Sequence, residues 1–279
     1  MKPVINVGIL GFGVVGGGTY EILRDNARLI ELRVGSRVVV RQIADIDPDR
    51  PRAIDFDRRL MTAEPEKLID NPEIDIVAEL IGGVHPSYEY VMRAIQNGKH
   101  VVTSNKELMA KAGHTLMVEA ATRKLDLYFE ASVGSGIPII RPMKMCLAAN
   151  RIREIKGIVN GTTNYILTRM AEEGKDFAEV LADAQARGYA EPDPTNDVDG
   201  HDAAYKIAIL ASIGFNSRVD VNSVYREGIR SITQRDMAYA RELGYSLRLL
   251  AIAKDTDGAM EIRVHPTMIP EDTMLASVD

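Results

Sequence analysis

Val4-Ile5-Asn6-Val7-Gly8-Ile9-Leu10-Gly11-Phe12-Gly13-Val14-Val15-Gly16 stands at the start of the chain and decides how the rest of it is read. Residues 4–10 are a β-rich apolar run, and the glycines at 11, 13 and 16 follow at once, ahead of a helical stretch expected to reach about residue 29. This is GxGxxG in the strand–turn–helix setting that gives the motif its meaning. Gly11 permits the tight turn, Gly13 lets the backbone approach a pyrophosphate, and Gly16 allows close helix–strand packing. The helix start then offers unpaired N–H groups and the positive end of its dipole to phosphates. A glycine-rich turn with no ligand is the rival reading, and the placement of the motif disfavours it.

The first half keeps this alternation. Strands are expected at residues 37–44, 74–80, 100–103 and 125–130, with helices at 87–96 and 108–123. Alternating strands and helices imply a parallel sheet wound with right-handed crossovers. Ligands of such sheets sit beyond the carboxyl ends of the strands. Three segments fall there: Gly82-Gly83, Thr103-Ser104-Asn105-Lys106, and Glu130-Ala131-Ser132-Val133-Gly134-Ser135-Gly136. Lys106, just past a strand end, has the place to bind substrate or carry a proton, or merely to cap the solvent side. Cofactor choice stays open: Asp45 suits the ribose hydroxyl of NAD, while Arg41, Arg50 and Arg52 suit a 2′-phosphate.

From residue 137 the alternation ends. A helical segment is expected at 137–149, a strand at 151–159, two or three helices after it, and strands at 247–254 and 260–264. The expected fold is therefore α/β: a Rossmann-type doubly wound parallel sheet in residues 1–135, followed by an α+β domain with a mixed sheet in residues 136–279. With 46% hydrophobic and 27% charged residues, the composition fits a soluble globular protein. A net charge of −6 and the lack of any basic run argue against nucleic acid as a partner. The apolar run at residues 4–10 is too short to span a bilayer, so no membrane partner is expected. The single cysteine, Cys146, excludes an intrachain disulfide and fits a reducing cytoplasm. Its neighbours Met143, Met145, Leu147 and Ala148 suggest a packed thiol.

The second half carries Glu191-Pro192-Asp193-Pro194-Thr195-Asn196-Asp197-Val198-Asp199-Gly200-His201-Asp202, with Lys206 beyond it in an otherwise apolar helical segment. A buried lysine is costly unless it is paired. Asp202 lies four residues before it, on the same helical face. Apolar surroundings and nearby carboxylates pull a lysine's proton affinity in opposite directions, which is how proteins prepare one for proton transfer. The plainer reading makes Asp199 the helix N-cap and Asp202 part of a capping box, with Lys206 reaching to solvent.

Taken together, these motifs resemble homoserine dehydrogenase along essentially the whole chain. The residues carrying the resemblance are the Gly11-to-Gly16 loop, Thr103-Ser104-Asn105-Lys106, the Glu130 loop through Ile137-Pro138, Asn160-Gly161-Thr162-Thr163-Asn164-Tyr165, and Gly188-Tyr189-Ala190-Glu191-Pro192-Asp193-Pro194 running to Lys206. The resemblance implies NAD(P)-dependent interconversion of L-homoserine and L-aspartate 4-semialdehyde, a step towards threonine and methionine. It implies catalytic roles for Lys206, Lys106 and Asp202, with Lys206 the general acid. It implies substrate contacts from Glu191, Asp197 and Thr162, Glu191 holding the substrate's amino group. NADP or NAD would contact Gly11, Phe12, Gly13, Val14, Val15, Gly16, Ser104, Lys106 and Gly188. A monovalent cation, typically sodium, would be held by Glu130, Val133, Ser135 and Ile137, mainly through carbonyl oxygens. A homodimer formed through the second domain is implied as well. Family members normally continue past the segment matching residues 276–279, so the sequence resembles a C-terminally truncated member.

Two rival functions remain. Another two-domain dehydrogenase is one; its aspartate-semialdehyde version needs a nucleophilic cysteine, which a packed Cys146 would not provide. The other is a non-catalytic fragment that binds a dinucleotide without turnover. Thr162, Thr163 and the N–H groups of the Asn160 loop are candidate donors to a substrate carboxylate, although an ordinary turn explains that loop almost as well.

Overall fold

Strand β1 (Val4–Leu10) lies at the middle of a parallel six-stranded sheet, and the glycine loop leaves its carboxyl end. The computed structural model describes residues 2–256 and 258–278, in two compact units, Met1–Pro138 and Ile139–Asp279. In the first unit β1 is followed by helices α1 (Val14–Asp25) and α2 (Ala27–Val34), then β2 (Arg37–Ala44) and a short β3 (Met61–Thr62). Next come α3 (Pro65–Ile69), β4 (Ile76–Glu79), α4 (Ser87–Gln96), β5 (His100–Thr103), α5 (Lys106–Thr122) and β6 (Leu127–Tyr128). The strand order is β3-β2-β1-β4-β5-β6, with parallel pairing throughout. This is the doubly wound sheet expected from the alternation, and its winding reverses between β1 and β4.

Successive residues of a strand face opposite sides of the sheet, so both sides acquire cores. Val7 and Ile9 of β1 pack on one side with Phe12, Tyr20, Ile43 and Ala78. Leu10 packs on the other side with Leu68, Val77, Val91, Ile95, Val101, Leu108 and Leu116. Both faces are covered, as parallel sheets require.

Several expected boundaries need correction. The single helix after the glycine loop is two, broken at Asn26, whose backbone N–H and side-chain amide both donate to the Ile22 carbonyl. Strands expected at 74–80 and 125–130 shorten to β4 and β6, because pairing with β1 and β5 ends there. Both β3 and α3 are additional elements. The segment expected to be a helix over 137–149 narrows to a π-helical turn at Pro142–Cys146 preceded by a short helical lead-in.

The second unit builds a mixed sheet in the order β7-β9-β10-β8. It comprises β7 (Glu154–Gly157), α6 (Gly161–Glu173), α7 (Phe177–Ala186), α8 (Thr195–Val198), α9 (His201–Gly214), β8 (Tyr225–Arg226), α10 (Gln234–Glu242), β9 (Tyr245–Asp255) and β10 (Met260–Pro270). Only the pairing of β10 with β8 is parallel. Strand β10 runs beyond the expected residue 264 through Pro266 and Pro270. β8 pairs with it only at Arg263 and Val264, so the prolines stand where the far side of β10 is an open edge and no ladder donor is needed. Among the described residues, no helix is long and apolar enough to cross a membrane.

Candidate functional site

The glycine loop has the shape a pyrophosphate needs. Gly11 adopts φ +88°, and a Cβ there would lie 2.8 Å from the Leu80 carbonyl oxygen. A Cβ on Gly16 would lie 2.0 Å from the Gly11 carbonyl oxygen, so α1 seats against the turn only because residue 16 has no side chain. Around Gly13 the space is open within 4 Å. Val14 is 93% exposed at the helix start, which leaves the first turn of α1 accessible to an anion.

The loop is held from behind by residues whose role the sequence left undecided. Asp45 Oδ2 accepts the Phe12 N–H at 2.7 Å, and its Oδ1 accepts the Asp47 N–H at 2.9 Å. Arg52 Nε donates to the Phe12 carbonyl at 3.1 Å. Its other nitrogens donate to the carbonyls of Pro48, Arg50 and Asp47. Its guanidinium also lies 3.3 Å from Asp45 and over the Phe12 ring. Arg52 is thus committed to the protein's own backbone, and Arg41 pairs with Glu73 at 2.8 Å. Neither stands ready for a 2′-phosphate, in contrast to what their sequence proximity allowed. Arg50 is exposed.

Ser104, Asn105 and Lys106 follow β5 at the same carboxyl edge. Asn105 caps α5 by accepting the Leu108 N–H at 3.0 Å, which places Lys106 as the first residue of that helix. The loop at 130–137 contains a 3-10 turn at Glu130–Ser132 and two consecutive left-handed residues, Gly134 (φ +74°) and Ser135 (φ +52°).

In the second unit the acidic run and Lys206 converge. Helix α9 buries Ala203, Ala204, Ile207, Ala208, Ile209, Leu210 and Ala211, so its first turn is fixed in an apolar setting. Asp202 is 3% exposed there, and its Oδ2 lies 2.7 Å from Lys206 Nζ. Lys206 also donates to the Val159 carbonyl at 2.6 Å. The second organiser is Asn160. Its amide NH2 donates to Asp197 Oδ1 at 2.6 Å and Asp202 Oδ2 at 2.9 Å. Its Oδ1 accepts from the Thr163 N–H and hydroxyl, both at 2.8 Å, as the N-cap of α6. One buried amide thereby holds two carboxylates that would otherwise repel, and one of them carries the ammonium of Lys206.

Three expectations change here. Asp199 is not the N-cap of α9: that position is Gly200, in the left-handed conformation, and Asp199 instead pairs with Arg230 at 2.6 Å. The capping-box reading of Asp202 therefore falls. Thr162 and Thr163 are committed as donors, Thr162 to the Tyr189 carbonyl at 3.1 Å and Thr163 to Asn160. Cys146 is exposed, because the π-helical turn buries only Met143.

The Gly188-to-Glu191 segment leaves α7 through Gly188, at φ +76°. Gln185 donates to the carbonyls of Glu191 and Pro192, and the Glu191 side chain stays exposed. The Thr195 hydroxyl and N–H hold the Asp193 carboxyl below its ordinary range. No cluster of three or more His, Cys, Asp or Glu side chains with metal-binding geometry occurs among the described residues.

Known proteins resemble this chain along its length. The family model described as Homoserine dehydrogenase matches residues 138–279, and that described as Homoserine dehydrogenase, NAD binding domain, matches residues 11–130. A homoserine dehydrogenase of Neisseria gonorrhoeae is 45% identical over 279 residues, which cover 100% of this chain and 64% of that protein. The crystal structure of a homoserine dehydrogenase from Thiobacillus denitrificans superposes with a TM-score of 0.92 at 46% identity, covering 99% of this chain and 64% of that one. A hyperthermophilic archaeal homoserine dehydrogenase in complex with NADPH superposes at 0.80 with 27% identity, over 98% and 84% of the two chains. The chain spans 64% of the length of its Neisseria gonorrhoeae relative.

Proposed function

The chain belongs to the homoserine dehydrogenase family, and from that premise we propose that it interconverts L-homoserine and L-aspartate 4-semialdehyde with NADP or NAD, in the cytoplasm, towards threonine and methionine. The observation that carries the proposal is the Asn160–Asp197–Asp202–Lys206 network at the start of α9.

The bound dinucleotide would supply or accept the hydride. The glycine loop fits such a group: its turn leaves backbone N–H groups and open space at Gly13. Phe12, Val14, Val15, Ser104, Lys106 and Gly188 are the further proposed contacts. An aldehyde carbon gaining hydride develops alkoxide charge on its oxygen. Lys206 Nζ stabilises that charge and gives the oxygen a proton, and in the reverse direction it takes the proton back. Asp202 keeps Lys206 oriented, and Asn160 keeps Asp202 in place. Lys106 assists orientation and proton movement. Asp197 and Thr162 line the substrate pocket, Thr162 through the loop it holds. Glu191, exposed on that loop, meets the substrate's ammonium.

Glu191→Gln tests the substrate assignment. The homoserine KM should rise about tenfold or more, the scale of a lost charge-assisted hydrogen bond, with the dinucleotide KM unchanged. An unaltered homoserine KM would remove Glu191 from this role.

The same proposal includes a sodium-type cation held by carbonyl oxygens of Glu130, Val133, Ser135 and Ile137. Oxygen donors suit a hard ion, and the left-handed pair at 134–135 turns successive carbonyls out of a regular ladder. It also includes a homodimer through the second unit, where Tyr225, Met260 and Met268 on the sheet are exposed.

A further inference from the structure

Glu79 is the last residue of β4 and has no exposed surface. Its Oε1 accepts the N–H of Ile81 at 3.0 Å, the N–H of Gly82 at 3.4 Å and the Ser87 hydroxyl at 3.0 Å. Its Oε2 accepts the Thr103 hydroxyl at 2.6 Å. The chain of contacts continues: Thr103 Oγ1 accepts the Asn105 N–H at 2.9 Å, and Asn105 Nδ2 donates to the Gly83 carbonyl at 2.6 Å. A ring of hydrogen bonds therefore runs from the turn after β4, through Glu79, to the turn after β5, and back to Gly83.

A buried carboxylate is expensive to desolvate, and a hydrophobic side chain would close this strand end more cheaply. What a carboxylate side chain adds is acceptor capacity for several donors at once. Here those donors come from the turn after β4, the start of α4 and the end of β5, where the second turn begins. Both turns lie at the carboxyl edge of the sheet, where a dinucleotide binds, and the second leads into Lys106. Gly82 and Gly83 adopt φ +94° and +71°, so their turn has no regular ladder to fix it.

We propose that Glu79 is a positioning residue for the dinucleotide site: it locks the Gly82–Gly83 turn and the Ser104–Lys106 turn in register with each other. This rests on the reading that the first unit binds a dinucleotide. Glu79 acts through the two turns and needs no contact with the reacting atoms.

The test uses Glu79→Gln, Thr103→Val and Thr103→Ser in the full chain, with NADPH and NADH as binding probes and NADP and NAD as the hydride acceptors in homoserine oxidation. Glu79→Gln keeps the shape and one acceptor oxygen but replaces the oxygen facing Thr103 with a donating amide NH2. Its dinucleotide Kd and KM should rise about tenfold, with the homoserine KM within about twofold of wild type. Thr103→Val should shift the same two quantities in the same direction by about threefold or more, and Thr103→Ser, which keeps the hydroxyl, should restore them. A purely structural role would lower the melting temperature without separating the two KM values. Dinucleotide Kd within twofold of wild type in Glu79→Gln and Thr103→Val would overturn the proposal. If Glu79→Gln does not fold, the Val and Ser pair at Thr103 decides alone. Failure of the wild-type chain to bind either dinucleotide would overturn the parent reading instead, and this one with it.

Discussion

Replacing Lys206 with alanine is expected to lower homoserine-dependent turnover by about 10²-fold or more, the usual scale for loss of a general acid. The dinucleotide Kd should stay near its wild-type value, because Lys206 is not among the proposed dinucleotide contacts. The mutation also leaves the 3%-exposed Asp202 without its ammonium partner. Removing one partner of a buried pair costs about 3–5 kcal/mol, reduced here because the Asn160 amide still satisfies Asp202. A lower melting temperature is therefore expected beside the kinetic loss. Lys206→Arg separates the two effects, since it keeps the charge while its proton is held too tightly to transfer. It should recover part of the stability and little of the turnover. Near-normal turnover in a folded Lys206→Ala protein would end the role proposed for this lysine.

The second large effect comes from the two glycines of the loop, which should fail in different ways. An alanine at residue 16 places a Cβ 2.0 Å from the Gly11 carbonyl oxygen, a backbone atom that cannot move aside cheaply. Helix α1 must shift off the turn, so both stability and dinucleotide affinity fall; overpacking of this kind costs about 1–3 kcal/mol. An alanine at residue 13 meets nothing within 4 Å, and its backbone at φ −77° lies outside the left-handed region that favours glycine. Gly13→Ala should therefore melt like wild type and yet bind dinucleotide about tenfold or more weakly, since its methyl occupies the space left for the pyrophosphate. Thermal melts and dinucleotide titrations of both variants check the pair. Wild-type affinity in Gly13→Ala would mean that the phosphates do not approach at this turn.

Much of the fold was legible because local pattern and tertiary role coincided. The glycine loop, β2, α4 and β5 fall where periodicity and turn residues put them, each being a strand or helix with its own signal. The two-residue strands β3 and β8 and the continuation of β10 through Pro266 depend on pairing with distant segments, which spacing does not record. The candidate site divides in the same way. Asp202 and Lys206, four apart on one helix, were readable as a pair. Asn160 reaches Asp197 across 37 residues and Glu79 reaches Thr103 across 24, so their roles emerge only from the folded chain. Arg52 was misleading for a related reason: an arginine near a nucleotide loop reads as a phosphate ligand, but this one is enclosed by the carbonyls of its own turn.

The measurement closest to the central claim is steady-state oxidation of L-homoserine by this chain, followed as reduced dinucleotide formed from NADP and, separately, from NAD. Product formation should require homoserine, saturate with it, and fall about 10²-fold or more in Lys206→Ala. Tight dinucleotide binding with no homoserine-dependent turnover from either cofactor would contradict that claim.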